Sequence, residues 1–200
     1  IRIYDADIFD ILQKNRSISH IMPFMERKAV LESGKAKKVV LLKSVDQSTL
    51  PHFYKMNLRG LYPKQGQIMI GQDIAYRMGK GIGDEIIVLS PVDQNIGLLS
   101  PSKKKFKISG VFSTKILNYD DTYAFITLTD GEKIFKRKNG IDGYDIRIRD
   151  KYSAQEQKKV IGNSVDNKTS IFTWEDQNKS LVDAMRIERY ATILVLCLIF

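Results

Sequence analysis

From Thr173 to Phe200 the chain runs without a glycine or a proline. No other stretch narrows the possible folds as much. Thr173 is placed to cap a helix, with Glu175 in the first turn and Asp176 three residues on. Leu181, Ala184, Met185 and Ile187 then recur at helical spacing. The uncharged run "ATILVLCLIF", Ala191 to Phe200, follows directly. The pattern predicts one long helix over 173–200, amphipathic at first and then apolar. A spanning helix needs about 20 apolar residues, and a buried core helix keeps a polar face. Only Thr192 and Cys197 are even mildly polar in the run. Residues 191–200 are therefore expected to begin a transmembrane span rather than to form a core helix. Ile1 is not a start methionine and no signal peptide follows it, so a fragment or a processed product is expected.

Upstream the periodicity changes. "DADIFDILQK" (5–14) reads as a short amphipathic helix, with Ile8, Ile11 and Leu12 on one face. Residues 18–33 alternate as a strand, with Pro23 marking an edge or a bulge. Gly34-Lys35 is a turn, and 37–46 reads as a strand buried on both faces. Residues 47–67 carry two prolines and two glycines among aromatics and read as an ordered excursion, a smaller subdomain. Further strands are expected at 68–71, near 85–91, from about 103 to 112, from 123, at 143–150 and at 169–174. Helices are expected at 72–79 and 153–165. Strands and helices mix without strict βαβ alternation, so the class is α+β.

The stretch "MGKGIGDE" (78–85) has the look of a phosphate loop. In such a loop a strand leads through the glycines into a helix, whose N-terminus faces the phosphate. Here a helix is expected to end at Gly79 and a strand to begin near Glu85. Gly79 is better read as a C-cap, and Asp84-Glu85 would repel phosphate.

Lysine and arginine number 32 against 23 acidic residues, a net charge of +9. The bases are spread along the chain, which suits a solvated surface. Cys197 is the single cysteine, and His20 and His52 stand far apart in no metal-binding spacing. No catalytic constellation stands out, and neither a cofactor nor a metal site is expected. Asp5/Asp7/Asp10, Asp120/Asp121 and Asp142/Asp145 each fall at an expected helix start or turn, where aspartate serves local hydrogen bonding.

One loop is unusual. The strands before Ser90 and after Ser102 should pair, yet the connection is longer than the two to five residues common in hairpins. Ser90-Pro91 and Ser100-Pro101 bracket it, and it carries Ile96, Leu98 and Leu99 beside Gly97. Such a loop either packs back on its own domain or docks a partner. Lys103, Lys104 and Lys105 stand at its return base.

With these elements in order, the chain resembles the large extracytoplasmic domain of LolC/LolE-type lipoprotein-releasing ABC transporter permeases, in the MacB/FtsX-like permease superfamily. The resemblance lies in "GQIMIGQDIAYRMGKGIGDEIIVLSP", "KFKISGVFSTKILNYDDTYAFITL" and "WEDQNKSLVDAMRIERYATILVLCLIF". It implies a two-part periplasmic domain over 1–190. A porter-like mixed part would take roughly 1–46 and 120–175, and a sabre-like β-rich part roughly 47–119. The 173–200 helix would lead into the second membrane helix at 191–200. It further implies residence at the bacterial inner membrane, with the domain in the periplasm and no ATP hydrolysis of its own. The implied partners are a cytoplasmic ABC ATPase subunit, a sister or identical permease subunit, a periplasmic lipoprotein chaperone and the lipoprotein cargo; nucleic acid is not among them.

By the same resemblance, Ile96, Gly97, Leu98 and Leu99 fall at a chaperone-docking hook, and Lys103 and Lys104 at part of a basic pad. Ile96-Gly97 replaces a familiar proline at the tip, and Glu85 stands near an expected base. LolC-like, LolE-like and fused types therefore stay open. Lys179, Arg186 and Arg189 before the run would favour the cytoplasm by the positive-inside rule, which weakens after a large domain. The alternatives are a MacB-like exporter or FtsX-like regulator domain and, in a different class, a basic soluble module for an acidic partner or nucleic acid.

Overall fold

The computed structural model describes residues 1–91, 101–116, 118–137, 140–165 and 169–199. Its spine is β2 (Ile18–Ser33), 16 residues long. At about 3.3 Å per residue it runs some 50 Å. β1 (Arg2–Tyr4) and α1 (Phe9–Lys14) precede it. β3 (Ala36–Val45) returns alongside through a two-residue turn. Gly34 opens that turn at φ +58°, a left-handed conformation that favours glycine. The β2–β3 ladder begins at Phe24, so Pro23 pairs only with the strand on the other side, as its missing N–H requires.

α2 (Leu50–Phe53) and β4 (Asn57–Gly60) follow, then β5 (Gln67–Gly71), α3 (Gln72–Met78), β6 (Glu85–Ser90) and β7 (Ser102–Ser113). The chain continues with α4 (Tyr119–Thr122), β8 (Tyr123–Thr127), α5 (Leu128–Phe135), β9 (Gly143–Ile148), α6 (Ala154–Gly162) and β10 (Ser170–Phe172). It ends in α7 (Trp174–Gln177) and α8 (Lys179–Ile199). Helices and strands are mixed, as expected. Residues 47–67 do not stand apart: β4 joins the common sheet by pairing with β7.

Six of the strands close on themselves. β2 pairs with β3, β3 with β8, β8 with β5, β5 with β7, β7 with β6, and β6 with β2 again. The largest apolar cluster fills this ring, with Leu31, Leu42, Ile70, Val88, Phe106 and Ile126 buried and α3 and α5 packed against them. β9, β1 and β10 extend the sheet beyond the ring, over a second core of Ile3, Leu12, Ile146 and Ile161. A third cluster, built on Phe24, Phe112 and Phe125, lies under α2 and β4.

The glycine stretch behaves as its flanks dictate. Gly79 caps α3 at φ +58°, its N–H reaching the carbonyls of Ala75 and Tyr76. Gly83, at φ +95°, turns the chain into β6. Helix leads to strand, the reverse of a phosphate loop.

One expectation is corrected at the end of the chain. The helix over 173–200 is two helices, interrupted at Asn178, whose side-chain amide donates to the Trp174 carbonyl. The cap itself is a full capping box between Thr173 and Asp176. α8 carries the apolar run, but no helix among the described residues is long and apolar enough to cross a membrane.

Candidate functional site

The stem of the expected docking loop is present. β6 and β7 pair antiparallel from Glu85↔Lys107 to Ser90↔Ser102, so the connection is closed at its base. Ile96, Gly97, Leu98 and Leu99 lie outside the described residues.

Lys103 and Lys104 do not share a surface. Successive strand residues face opposite ways. Lys103 is exposed on the outside of the ring. Lys104 turns inward and donates to Asp130 Oδ1 at 2.5 Å, its ammonium 4.9 Å from the Phe106 ring centroid. Asp130 is fully buried at the first turn of α5 and also accepts from the Gly66 N–H and the Thr127 hydroxyl. Lys105 and Lys107 face out with Lys103, and Lys105 pairs with Glu85 at 3.0 Å. Period-two alternation in "SKKKFKI" was the signal that separates Lys103, Lys105 and Lys107 from Lys104.

A second polar centre sits where β1, β2, β3 and β9 meet. Lys43 is 0% exposed. Its ammonium donates to Asp145 and to the Tyr54 hydroxyl, 2.9 Å away, and lies 4.7 Å from the Phe24 ring centroid. Arg2 holds the same carboxylate, Nε to Oδ1 at 2.8 Å, and reaches Glu26 at 3.4 Å. Burial alone would lower the Lys43 ammonium, but Tyr54 and Asp145 outweigh it and hold its pKa above the ordinary lysine value. Burial would likewise raise Asp145, yet Lys43 and Arg2 together hold it below the usual carboxylate range. Tyr54, Tyr119 and Tyr123 lie beside this centre, ring against ring at 5.9 and 4.3 Å.

This corrects the reading of Asp145 as a turn residue. It stands inside β9, and its partners come from strands 102 and 143 residues away in sequence. One ammonium, of Lys43, and one guanidinium, of Arg2, meet the carboxylates of Asp145 and Glu26, so the charges balance, and the arrangement suits holding strands together. His20 and His52, distant in sequence, stack with ring centroids 4.4 Å apart. Beside them a cleft of ≈ 410 Å³ opens between Phe53, Tyr54, Arg147 and Trp174. No group of three or more metal-binding side chains assembles among the described residues.

The comparisons with known proteins bear on this fold. No family model matches the chain. The lipoprotein-releasing system transmembrane protein LolC of Xylella fastidiosa (strain Temecula1 / ATCC 700964) is 24% identical over 186 residues, covering 88% of this chain and 44% of that protein. LolC of Buchnera aphidicola subsp. Schizaphis graminum is 25% identical over 195 residues, covering 93% and 47%. LolE of Haemophilus influenzae is 24% identical over 152 residues, covering 72% and 36%. The chain thus spans about half the length, or less, of the curated relatives it matches. Among solved structures, the extracellular domain of the noncanonic ABC-type transporter YknZ from Gram-positive bacteria superimposes with a TM-score of 0.58 at 8% identity, covering 86% of this chain and 99% of that one. The periplasmic region of MacB from Actinobacillus actinomycetemcomitans gives 0.57 at 11% identity, covering 91% of each. The resemblance to LolC/LolE-type permeases is therefore borne out over most of the chain, and the fold is that of the MacB and YknZ extracytoplasmic domains.

Proposed function

We propose that the chain is the periplasmic domain of a lipoprotein-releasing ABC transporter permease of the bacterial inner membrane. The observation that carries this reading is the similarity to proteins named LolC and LolE over most of the chain. The topology supports it. Arg2 pairs with Phe172, so the entering and leaving segments lie side by side on one edge. A domain inserted between two membrane helices needs that arrangement. α8, 21 residues and about 31 Å long, leaves from this edge and leads toward the second membrane helix.

In this reading the domain is not itself catalytic. A cytoplasmic ATPase subunit supplies the work, a sister or identical permease completes the channel, and α8 carries the motion upward. Lipoprotein passes to a soluble periplasmic chaperone, which docks at the 90–102 loop through Ile96, Gly97, Leu98 and Leu99, with Lys103 at its exposed base. Lys104 contributes by holding β7 to α5 through Asp130. The likeness in fold to MacB favours a second reading, an exporter domain. A fused ATPase in the full-length protein would mark that type.

Photocrosslinking from Ile96, Leu98 and Leu99 in cells expressing the intact permease tests the proposal, with Tyr76 on α3 as a surface control. A crosslink to a soluble lipoprotein chaperone is expected from the loop and not from Tyr76. Crosslinks only to lipoprotein or to a sister permease would assign the chain to cargo contact, and none at all would remove the docking role.

A further inference from the structure

The cleft beside the buried charge centre is built like a ligand site. Its ≈ 410 Å³ falls within the range of small-molecule pockets. At about 30 Å³ for each water-sized group it holds roughly a dozen of them. Phe53 and Tyr54 come to it from the end of α2, Arg147 and Ile148 from β9, and Trp174 and Gln177 from α7. The aromatic side is held in place. Tyr54 accepts from the Lys43 ammonium at 2.9 Å. The His20 ring meets the Phe53 ring edge-on, 6.4 Å between centroids, and is itself stacked on His52. Arg147 donates to the Phe53 carbonyl at 3.3 Å. Trp174 is 56% exposed, a large indole surface left open.

Charge decides what the cleft can hold. Asp145 also reaches it, but Arg2 and Lys43 each take one of its oxygens. With Glu26 on Arg2, that group of four is neutral. Arg147 stands outside the balance. It is exposed, and among the described residues no carboxylate lies within ion-pair distance of it. The Phe53 carbonyl takes one of the five N–H donors of its guanidinium. We infer that this cleft binds an anionic amphiphile, with a carboxylate or phosphate against Arg147 and an apolar chain or ring along Phe53, Tyr54 and Trp174. A guanidinium accepts either oxyanion through paired N–H bonds, and a cationic amphiphile would meet it as a like charge. The small concave volume suits one such molecule and not the face of a macromolecule. Nothing in this site depends on the release reading. α7 leads into α8 and its apolar run, so the ligand can come from a bilayer as a lipid or from solution as a free acid.

The test photolabels the full-length protein in phosphatidylcholine nanodiscs with a medium-chain fatty acid carrying a diazirine, and in parallel with the amine of the same chain. Labelled peptides are mapped by mass spectrometry. The carboxylate probe is expected on peptides holding Phe53 and Tyr54 or Trp174, and the amine is not. That label should fall about tenfold in Arg147→Gln, which loses the charged bond, and persist in large part in Arg147→Lys. Trp174→Ala keeps the cation and removes an apolar wall, so it should lower the label as well. Label found only elsewhere, equal label from the amine, or a yield indifferent to Arg147→Gln or to Trp174→Ala overturns the inference. Competition then separates the sources. Displacement by unlabelled decanoate identifies a free acid, and loss of label when phosphatidylglycerol replaces phosphatidylcholine identifies a bilayer lipid. Label that neither competitor lowers is unspecific and removes the site.

Discussion

Replacing Asp145 by asparagine should cost far more stability than replacing Lys43 by methionine, although the two side chains form one ion pair. Lys43 is fully buried, and with asparagine at 145 its ammonium keeps neutral acceptors, the amide oxygen and the Tyr54 hydroxyl, but loses the carboxylate it is paired with. An uncompensated buried charge of this kind costs about 3–5 kcal/mol. The converse change removes the charge itself. Arg2 still holds Asp145 through Nε at 2.8 Å, and methionine fills the lysine stem's volume, so Lys43→Met should stay within about 1 kcal/mol of the parent. The double variant, with neither charge, should recover most of what Asp145→Asn loses. Urea unfolding followed by far-ultraviolet circular dichroism reads all four proteins. A loss near 4 kcal/mol lowers the midpoint by roughly 1–2 M. If Asp145→Asn falls within about 1 kcal/mol of the parent, or Lys43→Met costs as much, the balanced-cluster account is wrong.

Four further outcomes follow from the same structure. Asp145 has its carboxyl held low in the folded state, so its contribution is complete above the ordinary carboxylate value near 4 and is lost as pH falls through the folded value; acid unfolding should be less steep in Lys43→Met/Asp145→Asn than in the parent. Gly71→Ala and Gly143→Ala should each fail to fold well, because the added Cβ would stand 1.9 Å from the Asp120 carbonyl oxygen and 1.8 Å from that of Ile3; soluble yield and thermal midpoint report it. Lys104→Glu sets a like charge against buried Asp130 and should lower stability by about 2 kcal/mol or more, whereas Lys103→Glu on the exposed side should change it by less than about 0.5 kcal/mol. Thr173→Ala removes half of the capping box and a contact from Gln155, a loss of about 0.5–2 kcal/mol that amide exchange should localise to α7.

Local chemistry was the readable part of this sequence. The cap at Gly79, the Thr173/Asp176 box, the turn at Gly34 and the alternation of β9 each follow from residues within one turn or one strand of each other. The closure of the ring through β6 and β2 was not readable, because Val30 and Leu89 are far apart in sequence and pair without any local mark. The buried charge centre stayed hidden for the same reason. Its one signal was a lysine within "VVLLKSV", an apolar run whose last four residues, Leu42 to Val45, are all buried. Asp145 read as a turn residue because Gly143 and Asp142 precede it, though its place in a period-two strand argued otherwise. The lysines of 103–107 were visible in the sequence, but it is the strand alternation that divides Lys103, facing out, from Lys104, facing in.

The release reading is tested most directly by transfer itself. The full-length permease and its ATPase would be placed in proteoliposomes with a lipoprotein, and transfer to a soluble chaperone measured with ATP present and absent. The same assay would be run with residues 91–101 replaced by glycine and serine. The account predicts ATP-dependent transfer by the parent, and loss of transfer with ATP hydrolysis retained in the replaced protein. Transfer that is unchanged by the replacement, or absent from the parent while ATP is consumed, would contradict it.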